Sequence, residues 1–191
     1  MITVTDNLKE AIVGESIAKK KYEYFANKAT EENHPEIAHL FKAIAYAESI
    51  HIKNHIKALS KITNSQVNLN EIFNINENEI KKQISDTRNN LIQAITGETF
   101  EFKNMYKGFV KNAKKEHTYL AEYSFSLARK AEKVHSKLYI NYLKQLDKNE
   151  NFEPIDIYVC KICGNVELRE PPNLCPNCEH DQKFFIKIQD N

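Results

Sequence analysis

Glu48-Ser49-Ile50-His51 and, 84 residues further on, Glu132-Lys133-Val134-His135 each carry a carboxylate and an imidazole three residues apart. On a helix that spacing separates two side chains by about 60° around the axis, so both reach one point in a bundle core. Each tetrapeptide also continues an apolar stripe. Ile37, Leu40, Phe41, Ile44, Ala45, Ile52 and Leu59 surround the first; Leu120, Phe125, Leu127, Ala128, Ala131, Leu138 and Tyr142 surround the second. A charge inside such a stripe must be paired or bound. The pattern therefore predicts long helices that turn polar groups inward onto a shared centre.

Two more helices with inward carboxylates are expected. Residues 5–31 read as the first helix, with Leu8, Ile12, Ile17, Tyr22, Phe25 and Ala29 at helical spacing and Glu15 among them. The second begins at His34-Pro35, with Pro at the first helical position. The third runs from Asp86 to Lys114 with Leu91, Ile95, Met105, Phe109 and Ala113, and it carries Glu98 and Glu101. The fourth spans Thr118 to Leu146. Residues 60–80 are rich in Asn and read as a long connection, with a short helix at 77–83. Ala11-Ile12-Val13-Gly14-Glu15 matches Ala94-Ile95-Thr96-Gly97-Glu98 at an offset of 83. Each half then reads Glu followed by Glu-x-x-His, 33 residues on in the first and 34 in the second. Two hairpins with one ligand plan predict a mainly α, ferritin-like four-helix bundle with a pseudo-twofold axis.

Six groups converge in this scheme: Glu15, Glu48, His51, Glu98, Glu132 and His135. Carboxylates bridge two metals and balance their charge, and one imidazole per metal suits ferrous iron, with manganese as the alternative. Glu101, one turn from Glu98, reads either as a further ligand or as a solvated glutamate. His55, one turn beyond His51, reads either as an extra ligand or as a packed or solvated ring. Tyr22 and Tyr106 sit at helical spacing from Glu15 and Glu98, where they hydrogen-bond carboxylates or simply fill core.

Composition narrows the setting. The 27 basic and 26 acidic residues give a net charge of +1, which offers no support for nucleic-acid or anionic-membrane binding. No apolar run approaches the roughly 18 residues of a membrane helix, and residues 1–10 contain no signal-like apolar core, so a cytoplasmic location is expected. All four Cys fall between 160 and 178, as Cys160-x-x-Cys163-Gly164 and Cys175-Pro176-x-Cys178. They follow a polar linker at 147–157, and β-like pieces at 157–159 and 183–188 flank them. So short a segment needs a tetrahedral metal rather than an apolar core to be stable, and four sulfurs accept iron or zinc. The expected division is residues 1–150 for the bundle and 155–191 for a small β-rich domain built on the four cysteines.

Together these residues resemble rubrerythrin. Gly14-Glu15-Ser16, Glu48-x-x-His51, Gly97-Glu98-x-x-Glu101 and Glu132-x-x-His135 carry the likeness in the bundle, and the two knuckles carry it in a rubredoxin-like domain. The resemblance implies a non-haem di-iron peroxidase that reduces hydrogen peroxide to water in oxidative-stress defence. It implies two irons in the bundle and one at Cys160, Cys163, Cys175 and Cys178, with zinc the alternative there in a recombinant sample. Glu48 and Glu132 would bridge, Glu15 would bind one iron, and Glu98 and His135 the other. Glu101 would replace His51 when the first iron is oxidised, and Tyr22 and Tyr106 would stand beside the irons. The implied partners are an external reductase, either rubredoxin or NAD(P)H-linked, and a second copy of the chain. In that dimer or higher oligomer each rubredoxin-like domain faces the other subunit's bundle. Asn165 and Glu179 depart from the usual pattern, which has an aromatic and a glycine at these places. The bundle alone also permits an iron store, and the knuckles alone a structural zinc ribbon.

Overall fold

The computed structural model describes residues 3–68, 72 and 75–189. Helix α1 (Val4–Glu31) starts at Thr3, whose hydroxyl accepts from Asp6 N while the Asp6 carboxylate accepts from Thr3 N. Such a capping box satisfies two of the orphan donors of a first turn and stabilises it by about 1 kcal/mol. Asn33, at φ 61°, ends the helix, and Pro35 opens α2 (Pro35–Thr63). Asn64, also left-handed, closes α2. The short α3 (Glu77–Lys81) lies within the expected 77–83. Positions 69–71, 73 and 74 of the expected connection lie outside the described residues. Asp86 caps α4 (Thr87–Phe100), α5 covers Tyr106–Lys115, and α6 covers Tyr119–Asp147.

The expected third helix is helical throughout, from Thr87 to Lys115, but it is not all α. Residues Glu101–Met105 form a π-helical turn between α4 and α5, in which Tyr106 N donates to Glu101 O, five residues back. Seven residues separate Glu15 from Tyr22, and eight separate Glu98 from Tyr106. The wider turn absorbs the extra residue and returns Tyr106 to the inner face. It also accounts for the mismatch of 33 against 34 between the halves.

Helix α1 packs on α2, α4 and α5 pack on α6, and α2 meets α6 across the bundle. Apolar side chains form two layers. One holds Tyr22, Phe25, Phe41, Leu91 and Tyr139; the other holds Leu8, Ile12, Leu59, Tyr106, Phe109 and Phe125. On every long helix the predicted polar groups fall between these layers, so a buried polar stratum is sealed above and below. Two expected core residues lie elsewhere: Ile17 is 39% and Leu120 is 55% exposed, because each lies at the margin of its helical stripe.

The C-terminal part is a three-stranded antiparallel sheet. Strand β1 (Ile157–Cys160) runs between β2 (Val166–Leu168) and β3 (Phe185–Lys187), pairing Val159 with Val166 and Ile186. Its small apolar face does not stand alone. Ile157, Val159 and Val166 join the first bundle layer, and Leu127 of α6 packs against Cys160, Cys163, Cys175 and Phe185. Asn54 Nδ2 donates to Ile162 O at 2.8 Å, and Lys130 Nζ to Asn177 O at 3.1 Å. The sheet is therefore seated on the bundle of its own chain. Among the described residues no helix is long and apolar enough to cross a membrane.

Candidate metal centres

Glu15, Glu48, Glu98, Glu132 and His135 are fully buried, and His51 is 1% exposed. Four helices deliver them, each at the level between the two apolar layers. They form two overlapping groups, Glu15–Glu48–His51–Glu132 and Glu48–Glu98–Glu132–His135, whose ligand atoms lie within 4.8 Å of one another. The shared residues split their oxygens. Glu132 presents Oε1 to His51 Nδ1 and Oε2 to His135 Nδ1, each at 2.8 Å. Glu48 presents Oε2 to His51 Nδ1 at 2.8 Å and Oε1 to His135 Nδ1 at 3.4 Å. Glu15 approaches only His51 and Glu98 only His135, each at 3.5 Å. Glu48 and Glu132 thus belong to both groups, and Glu15 and Glu98 to one each.

The far nitrogens decide the ring states. His51 Nε2 lies 3.1 Å from Cys163 O, and His135 Nε2 lies 3.0 Å from Gly164 O. A carbonyl only accepts, so each Nε2 carries a proton, which leaves Nδ1 as the nitrogen that can turn a lone pair toward a cation held among the carboxylates. Glu15 Oε2, both Glu48 oxygens, Glu98 Oε2, both Glu132 oxygens and the two Nδ1 atoms have no hydrogen-bond partner. Lone pairs from four carboxylates and two imidazoles converge on a dry centre, which is the donor set of a cation pair. The four carboxylates balance two divalent ions.

Protonation tells the same story. Burial raises the pKa values of Glu15 and Glu98, and the charges of Glu132 and Glu48 raise them further. Burial opposes charging His51, yet Glu132 and Glu48 outweigh it and raise its pKa well above the usual value. Without cations the cluster takes up protons. With them it has no need to.

Glu101 belongs to neither group of four. It is half-buried in the π turn, where burial first and then the charges of Glu15, Glu98, Glu132 and Glu48 push its pKa well up. It stands near enough for the cluster's charges to act on it, without belonging to either group. The tyrosines hold the terminal carboxylates, each one serving the opposite half. Tyr22 Oη donates to Glu98 Oε1 at 2.6 Å, and Tyr106 Oη donates to Glu15 Oε1. His55 is no ligand: its nitrogens are bonded to Ser124 and Tyr106, and burial lowers its pKa to about 3.

At the second centre the four Cys sulfurs lie together, with Cys160–Cys178 at 3.7 Å and Cys163–Cys175 at 3.6 Å. A disulfide needs about 2.05 Å. A tetrahedron of sulfurs about 2.3 Å from a metal has edges of about 3.8 Å, which these distances fit. Thiol donors from Cys163 and Cys175 pull Cys160 down to about 2, while the neighbouring Cys160 sulfur pushes Cys163 up. Without a cation such a cluster keeps a shared thiolate; a metal stabilises four.

The family model described as Rubrerythrin matches residues 6–154, and the one described as Rubrerythrin, rubredoxin-like domain, matches residues 158–186. This chain belongs to the rubrerythrin family. Rubrerythrin-2 of Clostridium acetobutylicum is 36% identical over 174 residues, covering 91% of this chain and 90% of that protein. Nigerythrin of Nitratidesulfovibrio vulgaris is 31% identical, covering 94% of this chain and 84% of that one. A solved structure of fully reduced, all-ferrous nigerythrin superposes with a TM-score of 0.82 at 29% identity, over 98% of this chain and 87% of that one. Both metal centres match the iron cofactors of rubrerythrins, two irons in the bundle and one at the four cysteines, and the chain is an iron-dependent redox protein.

One element of this rubrerythrin-family chain was invisible in its sequence. Gly164, at φ +76°, lies so close to the bundle that a Cβ there would overlap His51 Nε2 and lie 3.2 Å from Ala47 O. The only signal was a glycine directly after the knuckle. The resemblance implies a rubredoxin-like domain that faces the other subunit's bundle; in this chain the first knuckle caps both histidines of its own bundle.

Proposed function

We propose that the chain is a peroxidase that reduces hydrogen peroxide to water as part of oxidative-stress defence in the cytoplasm. Electrons enter one at a time through the four-cysteine iron from an external reductase, rubredoxin or NAD(P)H-linked. The observation that carries this reading is the bonding between the centres. The Cys163 and Gly164 carbonyls accept from His51 and His135, so one knuckle touches both imidazoles of the pair. A store that fills with oxidised iron has no use for a one-electron carrier bonded to both of its histidines.

The reaction breaks one O–O bond, consumes two electrons and two protons, and releases two waters. When bound, the iron pair supplies both electrons at one place and the Lewis acidity that polarises the O–O bond. Glu48 and Glu132, each shared by both groups, would hold both irons, and Glu15 and Glu98 would hold one each. Tyr22 and Tyr106 donate a hydrogen bond to Glu98 and Glu15 and fix their orientation. His135 would be a permanent ligand. Glu101 would take the place of His51 when the pair is oxidised, because a carboxylate offsets positive charge that a neutral imidazole does not. Cys160, Cys163, Cys175 and Cys178 hold the relay iron in a domain spanning residues 155–191, beside a bundle domain spanning 1–150. A homo-oligomer fits this scheme, although electron entry does not depend on a partner subunit.

The test is anaerobic mixing of the reduced, iron-loaded chain with hydrogen peroxide. The expected result is consumption of one peroxide per bundle pair, followed by slower appearance of the iron–thiolate absorbance as the four-cysteine iron gives up its electron, and bleaching of that band under reductase. Untouched peroxide together with mineral growth under dioxygen would overturn the assignment in favour of an iron store. Glu101→Ala is expected to lower turnover about ten- to a hundredfold, as loss of a metal-site partner commonly does. Unchanged turnover and an unchanged ligand set in both oxidation states would remove its role.

A further inference from the structure

Behind Glu15 lies a buried polar chain that neither ligand group uses. His55 is fully buried, with Nε2 2.9 Å from Tyr106 Oη and Nδ1 2.8 Å from Ser124 Oγ. Ser124 is itself 5% exposed. The Tyr106 hydroxyl gives its one proton to Glu15 Oε1. Its oxygen must then accept from His55, which places the ring proton on Nε2 and leaves Nδ1 to accept from the Ser124 hydroxyl. Every donor along Ser124, His55, Tyr106 and Glu15 points the same way, and one tautomer satisfies the whole chain.

The other half of the bundle lacks this device. At the 84-residue offset His55 corresponds to Tyr139 and Ser124 to Leu40. Tyr22 donates to Glu98 there, but it meets Tyr139 only edge to face, with ring centroids 5.5 Å apart. Among the described residues Tyr139 Oη has no hydrogen-bond partner. The polar pair therefore occurs on one side only, and both its members occur together. Burying a ring and a hydroxyl costs free energy unless both are bonded, so the pair is not a neutral core filler.

We propose that His55 and Ser124 are positioning residues for the Glu15 end of the iron pair. They lock the Tyr106 proton onto Glu15 and so hold that carboxylate fixed where the neighbouring ligand, His51, is the one that exchanges. The Glu98 end, with a permanent His135, has no such lock. The inference rests on the di-iron reading and makes the two positions unequal by construction.

The experiment uses the full chain loaded anaerobically with ferrous iron, in wild type, His55→Leu, His55→Gln, Tyr106→Phe and the His55→Leu/Tyr106→Phe double variant. Ferrous affinity against a competing chelator and the Mössbauer spectrum are read, with helix content by circular dichroism as the fold control. His55→Leu is expected to weaken one bundle iron about ten- to a hundredfold and to change one ferrous signal only. His55→Gln, which keeps an N–H donor for Tyr106, restores most of the loss. In the Tyr106→Phe background His55→Leu adds nothing further. Ser124→Ala, a smaller change, gives the same one-sided loss in lesser degree and carries the test if His55→Leu does not fold. Equal weakening of both irons at unchanged helix content, an undiminished effect without Tyr106, or no effect of His55→Leu and Ser124→Ala would each overturn the proposal. A wild-type chain that binds no iron pair would overturn the di-iron reading instead.

Discussion

The two halves of the bundle share a cage and differ in what surrounds it. Glu15 and Glu98, Tyr22 and Tyr106, Glu48 and Glu132, and His51 and His135 correspond at offsets of 83 or 84. Because each tyrosine crosses to the other half's glutamate, neither half completes a ligand set alone. What the halves do not share is concentrated at one end. The π turn that carries Glu101 is confined to the second half, and the His55–Ser124 pair backs only Glu15. Duplicated residues thus build two metal positions, and unduplicated ones give those positions different surroundings.

The largest expected effect breaks the shared part. Glu132 gives one oxygen to each side, so Glu132→Gln is expected to lose both bundle irons and all peroxide reduction. Glu98 serves one side, so Glu98→Gln is expected to lose one iron and keep the other. The four-cysteine iron, read by its thiolate absorbance, is the internal control in both variants. Metal analysis showing equal losses from the two substitutions would mean that the carboxylates do not divide into bridging and terminal kinds.

A second comparison lies inside the small domain, and it sharpens the first. The residues after the two knuckles, Gly164 and Glu179, both have positive φ, +76° and +60°. The first lies against His51 and Ala47 of the bundle, and the second is exposed. Gly164→Ala would press a methyl group onto His51 Nε2 and Ala47 O, lifting the knuckle from both histidines. Steady turnover with an external reductase is expected to fall about ten- to a hundredfold, the scale of a misplacement of about 1 Å. A single turnover of prereduced protein should stay near its wild-type rate, and both centres should keep their iron. Stopped-flow traces separate the two phases. Equal slowing of both would place the damage in the bundle rather than in the relay.

How legible these features were in the sequence depended on how local they are. Glu-x-x-His could be read because helical periodicity converts spacing into a face, and the repeat told Glu15 and Glu98 apart from ordinary surface glutamates. The four-cysteine centre was legible because a short segment without an apolar core leaves its knuckles little other purpose. The π turn left only a one-residue mismatch, whose place is marked by the eight residues between Glu98 and Tyr106. Which tyrosine serves which carboxylate, and what His55 bonds to, are set by packing between helices far apart in the chain. No local pattern encodes that. Ile17 and Leu120 show the reverse error: they keep the helical period, but the stripe is wider there than the surface it meets. The contact of Gly164 with His51 depends on the path of the linker, which its polar composition does not specify.

The smallest expected effect tests the knuckle comparison from its other side. Glu179 is exposed, and its backbone N donates to Cys175 O at 2.8 Å in the same turn that Gly164 N makes to Cys160 O at 2.9 Å. The turn requires a left-handed residue in both knuckles. A side chain there costs about 1–2 kcal/mol, part of which is recovered because glycine loses more freedom on folding. Glu179→Gly is therefore expected to stabilise the rubredoxin-like domain by about 0.5–1 kcal/mol, seen as slower loss of the iron–thiolate band in denaturant. Turnover should not move, because Glu179 is exposed whereas Gly164 lies against His51. A gain in stability from Glu179→Gly beside a loss of relay from Gly164→Ala would show that the same backbone requirement carries a second duty in only one knuckle. If Glu179→Gly slowed turnover as much as Gly164→Ala, then both knuckles would belong to the relay, and the asymmetry drawn from Gly164 and His51 would be wrong.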